Sequence, residues 1–263
     1  MVPKPRPSLH EAEVVENAAV AAQTFRMVLR APRLAEALAP GQFLSLRVPR
    51  DKSQLLRIPL SFSRADAATG TVELVYAVVG AGTEALADLR AGERVSAVGP
   101  GGVGWPLPDG GRTLLVAGGV GAPPIVAAAG LLAAHDLPFD AIVGARSKDR
   151  LWGERQLRDL GAHHTLVTTD DGSYGLGGLT TDAMAQCLAA RPYDLVMACG
   201  PTRMMAGVAS LAEKAHVRCL VSLEQLMACG FGACGCCNVP LRNGGYASCC
   251  MDGPVFDGSE VAW

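Results

Sequence analysis

The 263-residue chain lacks a marked excess of charge of either sign. Charged residues make up 18% of it, the formal net charge is −2, and Lys and Arg are scattered. We therefore expect no nucleic-acid surface and no anionic membrane as a partner. No apolar run follows the charges of Met1–Pro7, so no secretory signal is predicted and a cytoplasmic location is favoured. The sequence also lacks internal repeats and low-complexity tracts.

Long uncharged stretches are equally scarce, and only Leu114 to Ala134 could pass for a membrane span. Glycines interrupt this stretch, as do Pro123 and Pro124. A buried strand, a glycine turn and a helix explain such a pattern better than a lipid-facing helix. No membrane anchor is predicted.

The order of patterns predicts a multidomain chain with three regions. Residues 1–108 show short alternating runs, as in Phe25–Arg30, which predict an N-terminal antiparallel β-barrel with one helix near Thr83–Leu89. Residues 109–221 alternate apolar runs with helical stretches, which predicts an α/β nucleotide-binding domain with a parallel sheet. Residues 222–263 have little periodicity and are rich in Cys and Gly. We therefore expect a site with a bound ligand, rather than a hydrophobic core, to hold them together.

The second region yields specific elements. Its predicted strands are Thr113–Ala117, Ala141–Ala145, Thr165–Thr168, Leu195–Ala198 and Arg218–Val221. Its predicted helices are Ile125–Ala134, Trp152–Leu160, Asp182–Ala190 and Arg203–Ala215.

The cysteines of the third region carry the most specific signal. Of nine cysteines, six lie close together near the C-terminus: Cys229, Cys234, Cys236, Cys237, Cys249 and Cys250. The spacing of Cys229, Cys234 and Cys237, with Cys250 as a distant fourth, is that of plant-type [2Fe–2S] ferredoxins. Glycines between them let backbone N–H groups approach the sulfurs and stabilise the negative charge of a cluster.

Two other interpretations of these cysteines remain open. Zinc sites favour two short C-x2-C pairs, and free thiols would need no special spacing. Cys236 and Cys249 adjoin the chosen ligands and are possible substitutes for them. The remaining three cysteines, Cys187, Cys199 and Cys219, are expected to be small buried hydrophobic residues.

Two segments suggest a nicotinamide nucleotide site. Gly118–Gly121 follows a predicted strand and precedes a helix, and Cys199-Gly200-Pro201 ends another strand. Ligands of open α/β sheets bind at such strand ends, where glycine turns bring amides to a phosphate. Asp170 and Asp171 follow a third strand, where a carboxylate binds the ribose of NAD and repels the 2′-phosphate of NADP. An ordinary Asp-Gly turn is the alternative for this pair.

In the β region, two segments are candidates for a flavin site. Arg57 offers a bidentate fork for a diphosphate, and Ser61 offers a hydroxyl for a flavin edge. Gly80-Ala81-Gly82-Thr83 precedes a short helix and is a second candidate phosphate site. Taken alone, both segments are more typical of ordinary surface residues than of a ligand-binding site.

Together these motifs resemble the ferredoxin-reductase superfamily and, more closely, the electron transfer subunits of type B dihydroorotate dehydrogenase. The resemblance covers nearly the whole chain. Its motifs are Arg57-x-Pro59-Leu60-Ser61, Gly80-x-Gly82-Thr83, Gly118-Gly119-Val120-Gly121-x-Pro123-Pro124, Thr169-Asp170-Asp171-Gly172-Ser173-Tyr174-Gly175, Cys199-Gly200-Pro201, Met227-Ala228-Cys229-Gly230-x-Gly232-x-Cys234 and Cys250-x-Asp252-Gly253-Pro254-Val255-Phe256. The last two are the most specific.

The resemblance implies FAD in the first domain, NAD in the second and a [2Fe–2S] cluster in the last segment. It implies a partner, an FMN-containing catalytic subunit that oxidises dihydroorotate to orotate in pyrimidine synthesis, with two copies of each chain. The cofactor-binding candidates are Arg57, Ile58, Pro59, Leu60, Ser61, Val75, Tyr76, Ala77, Gly82, Thr83, Gly119, Gly121, Asp170, Cys199, Gly200 and Pro201. The cluster candidates are Cys229, Cys234, Cys237 and Cys250. No catalytic side chain is expected, because the cofactors carry the chemistry.

This chain departs from the family pattern at three positions. Members usually carry Arg where Ile58 and Ala77 stand, so diphosphate binding has fewer positive charges here. The additional Cys249 leaves the fourth cluster ligand open between Cys249 and Cys250.

Three other functions compete with the resemblance. One is a subunit of another flavin complex, such as an NADH-dependent ferredoxin:NADP oxidoreductase or a sulfhydrogenase. Those relatives can carry Asp where Cys229 stands, so Cys229 favours the dihydroorotate branch. The second is a self-contained oxygenase reductase, and the third is a zinc-stabilised binding module without redox activity.

Overall fold

The computed structural model describes residues 6–48 and 54–263. Most of the segment considered above for a signal sequence lies outside these residues. The chain forms two compact units. The first runs through Trp105 and takes in Glu224–Val239 and Tyr246–Pro254. The second comprises Pro106–Leu223, Pro240–Gly245 and Val255–Trp263.

A closed antiparallel barrel forms the centre of the first unit. Its strands are β1 (Ser8–Ala21), β2 (Thr24–Arg30), β3 (Phe43–Leu46), β4 (Ile58–Asp66), β5 (Thr71–Ala77) and β6 (Arg94–Gly101). They pair in the order β1-β2-β5-β4-β3-β6, and β6 pairs with β1 to close the barrel. Met27 and Leu29 of β2 are fully buried while Arg30 is exposed, which is the alternation that predicts such a wall. The predicted barrel is confirmed.

Two helices accompany the barrel, where the sequence analysis expected one. The expected helix is α2 (Ala81–Ala87), which begins two residues before Thr83. The additional one is α1 (Pro32–Ala37), which starts with a proline and buries Leu34 and Ala35. At six residues it is too short to show a helical repeat in the sequence, and the burial of two side chains stabilises it instead.

The second unit contains a seven-stranded sheet. The strands that follow the barrel are β7 (Thr113–Gly118), β8 (Phe139–Ala145), β9 (Thr165–Thr169), β10 (Leu176–Gly177), β11 (Leu195–Cys199), β12 (Arg218–Ser222), β13 (Asn238–Pro240), β14 (Tyr246–Ser248) and β15 (Val255–Asp257). The sheet order is β10-β9-β8-β7-β11-β12-β15, and all of its pairs are parallel except β12 with β15. Its helices are α3 (Ala122–Ala133), α4 (Glu154–Asp159), α5 (Thr180–Ala190) and α6 (Thr202–Lys214).

The structure of the C-terminal segment depends less on a bound ligand than the sequence suggested. β15 adds an antiparallel edge to the sheet through its ladder with β12. Val255, Phe256 and Val261 are buried. Apolar burial therefore also holds this part of the chain, and its strand escaped detection because three residues are too few to show a pattern.

The three cysteines outside the C-terminal group are not equally buried. Cys219 is buried as expected, but Cys187 and Cys199 are only half-buried, which corrects the expectation for those two. Cys199 ends β11, and its thiol donates to the carbonyl of Ser222 over 3.3 Å. Within residues 6–48 and 54–263, no helix combines the length and apolar character needed to cross a membrane.

Candidate functional site

The start of α2 forms one wall of the predicted flavin region. Thr83 Oγ1 accepts hydrogen bonds from the N–H groups of Val79 (2.9 Å) and Gly80 (3.2 Å) and donates to the Gly80 carbonyl (2.9 Å). A Cβ at Gly82 would lie only 2.8 Å from Ile58 Cδ1. The structure thus brings together the predicted segments 57–61 and 80–83, and a side chain at Gly82 would require the end of Ile58 to move.

Arg57 lies beside a second arginine that the sequence analysis did not single out. The Arg57 guanidinium donates to the Ser96 carbonyl (2.8 Å) and to Ser96 Oγ (3.0 Å), while the N–H of Arg47 donates to the same carbonyl. Burial and the positive charge of Arg47 lower the pKa of Arg57. Arg47 therefore supplies a positive charge in the candidate flavin region. The residues Ile58 and Ala77, which stand where the family usually carries Arg, supply none. In the sequence it was only the polar member of an alternating strand.

Tyr76 is almost fully buried, at 2% exposure. Burial raises the pKa of its hydroxyl to about 12, and the hydroxyl donates to Asn17 Oδ1 over 3.2 Å. The amide nitrogen of Asn17 contacts the carbonyls at the end of α2, namely those of Leu86 (2.9 Å), Ala87 (3.1 Å) and Leu89 (3.0 Å). Asn17, which the sequence analysis missed, thus connects α2 to β5.

The remaining flavin candidates differ in accessibility. Val75 is buried, whereas Ala77 is half-buried. The residues of the strand start, Ile58, Pro59, Leu60 and Ser61, are all half-buried. Surface for a ligand is therefore available along 58–61 and at Ala77, while Val75 and Tyr76 support the barrel wall.

In the second unit, Gly118–Gly121 and Cys199–Pro201 meet at the carboxyl edge of the sheet; we call these two segments the glycine edge. β7 and β11 are neighbours, with Ala117 opposite Cys199. A Cβ at Gly121 would overlap the Cys199 carbonyl and lie 2.6 Å from the Gly200 nitrogen. Gly119 has a φ of 54°, in the region that glycine adopts readily. Residues far apart in the sequence, such as Ala117 and Cys199, therefore line one edge.

Asp170 and Asp171 follow β9, two strands away from β7 in the same sheet. Asp171 Oδ1 accepts the N–H of Ser173 over 2.9 Å, and hydrogen bonds from Ser173 lower the pKa of Asp171. This carboxylate performs the turn role that an Asp-Gly pair commonly has. Asp170 is exposed, and its N–H donates to the Ala145 carbonyl over 3.1 Å.

The segment Cys229–Cys237, which we call the cysteine loop, turns its amides toward sulfur. The Ala233 N–H donates to Cys229 Sγ (3.3 Å) and the Cys236 N–H to Cys234 Sγ (3.4 Å). The Cys250 N–H donates to Cys237 Sγ (3.4 Å). Positive φ angles make these turns possible, at the glycines 230 (76°), 232 (84°) and 235 (67°).

Four of the thiols interact with one another electrostatically. Burial opposes ionisation of Cys229, but the Phe231 N–H, the Cys234 thiol and further loop amides outweigh it and lower the pKa of Cys229 to about 6. Burial, with the hydrogen bond and charge of Cys237, raises the pKa of Cys250 to about 12. Cys229 thus interacts with Cys234, and Cys250 interacts with Cys237 and with the charge of Cys229.

The alternative fourth residue, Cys249, is as buried as Cys250, at 0% exposure for each. Its N–H donates to the Cys237 carbonyl over 2.9 Å. Among the described residues, no three Cys, His, Asp or Glu side chains converge to hold a single metal ion. Four thiols that interact with one another fit a two-iron cluster, because its two irons take four thiolates.

Two family models match the chain. Residues 11–104 match the oxidoreductase FAD-binding domain, and residues 224–262 match the iron–sulfur cluster binding domain of dihydroorotate dehydrogenase B. With the barrel, the parallel sheet and the cysteine loop, these matches define a flavin- and iron–sulfur-containing oxidoreductase subunit of the ferredoxin-reductase fold.

Curated relatives narrow the class to one family. The chain is 37% identical over 254 residues to the dihydroorotate dehydrogenase B (NAD(+)) electron transfer subunit of Geobacillus thermodenitrificans, covering 94% of this chain and 96% of the relative. The subunit of the same name from Desulforamulus reducens is 35% identical over 257 residues, covering 96% and 98%. The chain therefore belongs to the family of dihydroorotate dehydrogenase B electron transfer subunits.

Solved structures agree on the fold. The structure of an NADH-dependent reduced ferredoxin-NADP oxidoreductase matches with a TM-score of 0.89 at 32% identity, covering 96% of this chain and 90% of that one. A cytochrome P450 reductase from Amycolatopsis matches with a TM-score of 0.68 at 28% identity, covering 82% and 68%. The predicted fold class and family are confirmed.

Proposed function

We propose that this chain passes electrons between NAD(H) and an FMN-containing partner subunit, through FAD and a [2Fe–2S] cluster, in the oxidation of dihydroorotate to orotate. Its family membership supports the class of reaction. One observation within the first unit supports electron transfer between FAD and the cluster. It is the surroundings of Ser45 on β3.

Ser45 lies near both a candidate flavin segment and the cysteine loop. In the ladder between β3 and β4, Ser45 lies opposite Pro59. A Cβ built on Gly230 of the cysteine loop would lie 3.4 Å from Ser45 Oγ. Segment 57–61 and the cysteine loop therefore flank the same short strand. Proximity of this kind is what transfer between two redox groups requires.

The flavin candidates divide into two roles. Arg57 and Arg47 provide positive charge for a diphosphate, and the amides at Gly82 and Thr83 provide hydrogen-bond donors. Residues 58–61 and Ala77 provide accessible surface that would hold the flavin ring. FAD, when bound, supplies the conversion between a two-electron donor and a one-electron carrier.

For the cluster we propose the pairs Cys229 with Cys234 and Cys237 with Cys250. We propose Cys250 as the fourth ligand, since its N–H donates to Cys237 Sγ and its thiol interacts with Cys237. The loop amides that donate to sulfur stabilise the negative charge of the four thiolates.

The nicotinamide nucleotide is assigned to the glycine edge in the second unit, where Gly119, Gly121 and Cys199–Pro201 present backbone amides. Asp170 accepts hydrogen bonds from the ribose and disfavours a 2′-phosphate. We expect NADH to be preferred over NADPH for this reason.

The side chains beside the cluster ligands support a partner subunit. Leu226 is 84% exposed and Phe231 is 54% exposed, and both lie within three residues of Cys229. Exposed apolar side chains around a redox site are typical of a protein docking surface. We propose two copies of each chain in the complex and a cytoplasmic location, because cluster ligands must stay thiolates and a reducing compartment keeps them so.

A ferredoxin-linked function is the second candidate, because one ferredoxin-NADP oxidoreductase matches with a TM-score of 0.89. Cys229 argues against it, since members of that branch can carry Asp at this position.

Co-expression with a candidate FMN subunit tests the proposal. We expect a stable complex on size-exclusion chromatography and NAD-dependent formation of orotate, whereas this chain alone reduces ferricyanide with NADH but does not oxidise dihydroorotate. Phe231→Glu should weaken the complex, and Leu9→Glu, at another exposed apolar position on β1, should not. Monomeric elution without orotate formation, combined with ferredoxin reduction, would instead support the second candidate.

A further inference from the structure

Met204 lies against both segments of the glycine edge. A Cβ added at Gly118 would overlap Met204 Sδ, and one added at Gly200 would lie 2.6 Å from Met204 Cε. At Gly200, the Cα of Gly118 would be 3.1 Å away as well. The thioether therefore occupies the space that two side chains would otherwise take, at the point where the turns after β7 and β11 meet.

The position of Met204 follows from the helix that carries it. α6 begins at Thr202, directly after Pro201, so Met204 belongs to its first turn. Met204 is half-buried, whereas the next residue, Met205, is 1% exposed. Adjacent residues of a helix point about 100° apart. One methionine therefore faces the glycine edge and the other faces the core.

We propose that Met204 is a positioning residue for the nicotinamide dinucleotide, acting through the spacing of Gly118–Gly121 and Cys199–Pro201. This inference rests on the assignment of the nucleotide to the glycine edge. Backbone amides bind a diphosphate well only when they are held at fixed positions. Met204 fixes these positions by filling the gap between Gly118 and Gly200, which have no side chains of their own with which to pack.

A thioether suits this task better than other apolar groups. Methionine is unbranched and flexible, so it follows the irregular space between two backbone turns. The glycines and the methionine are also complementary, since the absence of Cβ atoms at 118 and 200 makes the room that Met204 fills. Changing one partner should therefore alter the effect of changing the other.

The first test compares the two methionines in the full chain with FAD and iron bound. We expect Met204→Ala to raise the KM for NADH about tenfold in ferricyanide reduction, with kcat changed less than about twofold. Met204→Leu should recover most of the affinity. Met205→Ala removes a core side chain and should lower the melting temperature without changing the KM.

A double-mutant cycle provides the second test and does not depend on the stability of one variant. We expect Gly118→Ala to raise the KM for NADH, because the new methyl group displaces Met204. In Gly118→Ala/Met204→Ala the methyl group has room, so the double variant should bind NADH better than the product of the single effects predicts.

Two results would overturn the inference: an unchanged KM in Met204→Ala, or strictly multiplicative effects in the cycle. If the assignment of the nucleotide to the glycine edge is itself wrong, the measurements will differ from these two results. If NADH does not reduce the flavin of the wild-type chain, or if Gly121→Ala leaves the KM for NADH unchanged, the nucleotide does not bind at the glycine edge at all.

Discussion

The cysteine loop and the glycine edge place their candidate residues by different means. In the cysteine loop, Cys229, Cys234 and Cys237 lie within nine consecutive residues, and positive φ angles at intervening glycines turn the amides toward sulfur. At the glycine edge, Gly121 meets Cys199 only because β7 and β11 are neighbours in the sheet. Local spacing therefore controls the first region, and long-range strand pairing controls the second.

This difference predicts two kinds of response to mutation. A [2Fe–2S] cluster needs all four of its thiolates, so loss of one ligand cysteine should remove the whole function of the loop. The glycine edge distributes its contacts over several backbone groups, so single changes there should give graded losses. The barrel, where Asn17 and Thr83 hold the two ends of α2, should respond like the glycine edge.

The largest expected effect tests the cysteine loop. Cys250→Ser should reduce bound iron from about two per chain to nearly none while FAD remains, and Cys237→Ser should do the same. Iron analysis and the visible spectrum measure the outcome. Cys249→Ser is the matched control, because Cys249 is equally buried, and it should retain iron. Iron lost in Cys249→Ser but kept in Cys250→Ser would reverse the assignment of the fourth ligand.

A graded effect on cofactor preference is expected at Asp170, which lies in the same unit as the glycine edge. Asp170→Arg should reduce the preference for NADH over NADPH by about tenfold, because the guanidinium pairs with a 2′-phosphate instead of a ribose hydroxyl. The ratio of kcat/KM for the two cofactors measures it. Asp171→Asn is the control, since the carboxylate of Asp171 belongs to the turn with Ser173. An unchanged ratio in Asp170→Arg would exclude Asp170 as the discriminating residue.

In the barrel, Asn17→Ala should weaken FAD binding several-fold, because it releases the end of α2 whose beginning lies in the flavin region. Flavin fluorescence on titration of the FAD-free chain gives the affinity. Tyr76→Phe breaks only the bond to Asn17 and should cause a smaller loss. The KM for NADH at saturating FAD should stay the same in both variants, and a shift in it would indicate a general loss of structure.

The smallest expected effect concerns alkaline pH. Burial raises the pKa of Tyr76 to about 12, while an unfolded tyrosine ionises near pH ~10. The unfolded chain therefore releases this proton first, so the stabilising contribution of Tyr76 is complete below about pH 10 and is lost as the pH rises toward 12. Urea denaturation between about pH 9 and 11 should show a flatter pH dependence for Tyr76→Phe than for wild type. The same dependence of unfolding free energy on pH in Tyr76→Phe and in wild type would contradict this prediction.

Much of the architecture could be predicted from the sequence because its signals are local. The alternation in β2 predicted the barrel wall, and the uncharged run from Leu114 correctly predicted β7, a glycine turn and α3. Helix α1 and strand β15 escaped detection because each is too short for several turns or alternations of its repeat to show in the sequence. The half-burial of Cys187 and Cys199 was also missed, since the exposure of one thiol depends on the neighbours that the fold supplies.

The sequence by itself determined the spacing of the cysteines, the order of the motifs and the kinds of side chain available, because these are fixed by the covalent chain. Only the tertiary structure decided which distant residues meet. It placed Arg47 beside Arg57, Asn17 at the end of α2 and Met204 between two glycines. It also placed Ser45 between Pro59 and Gly230. Such encounters depend on strand register and packing over the whole domain, and no short stretch of sequence specifies them.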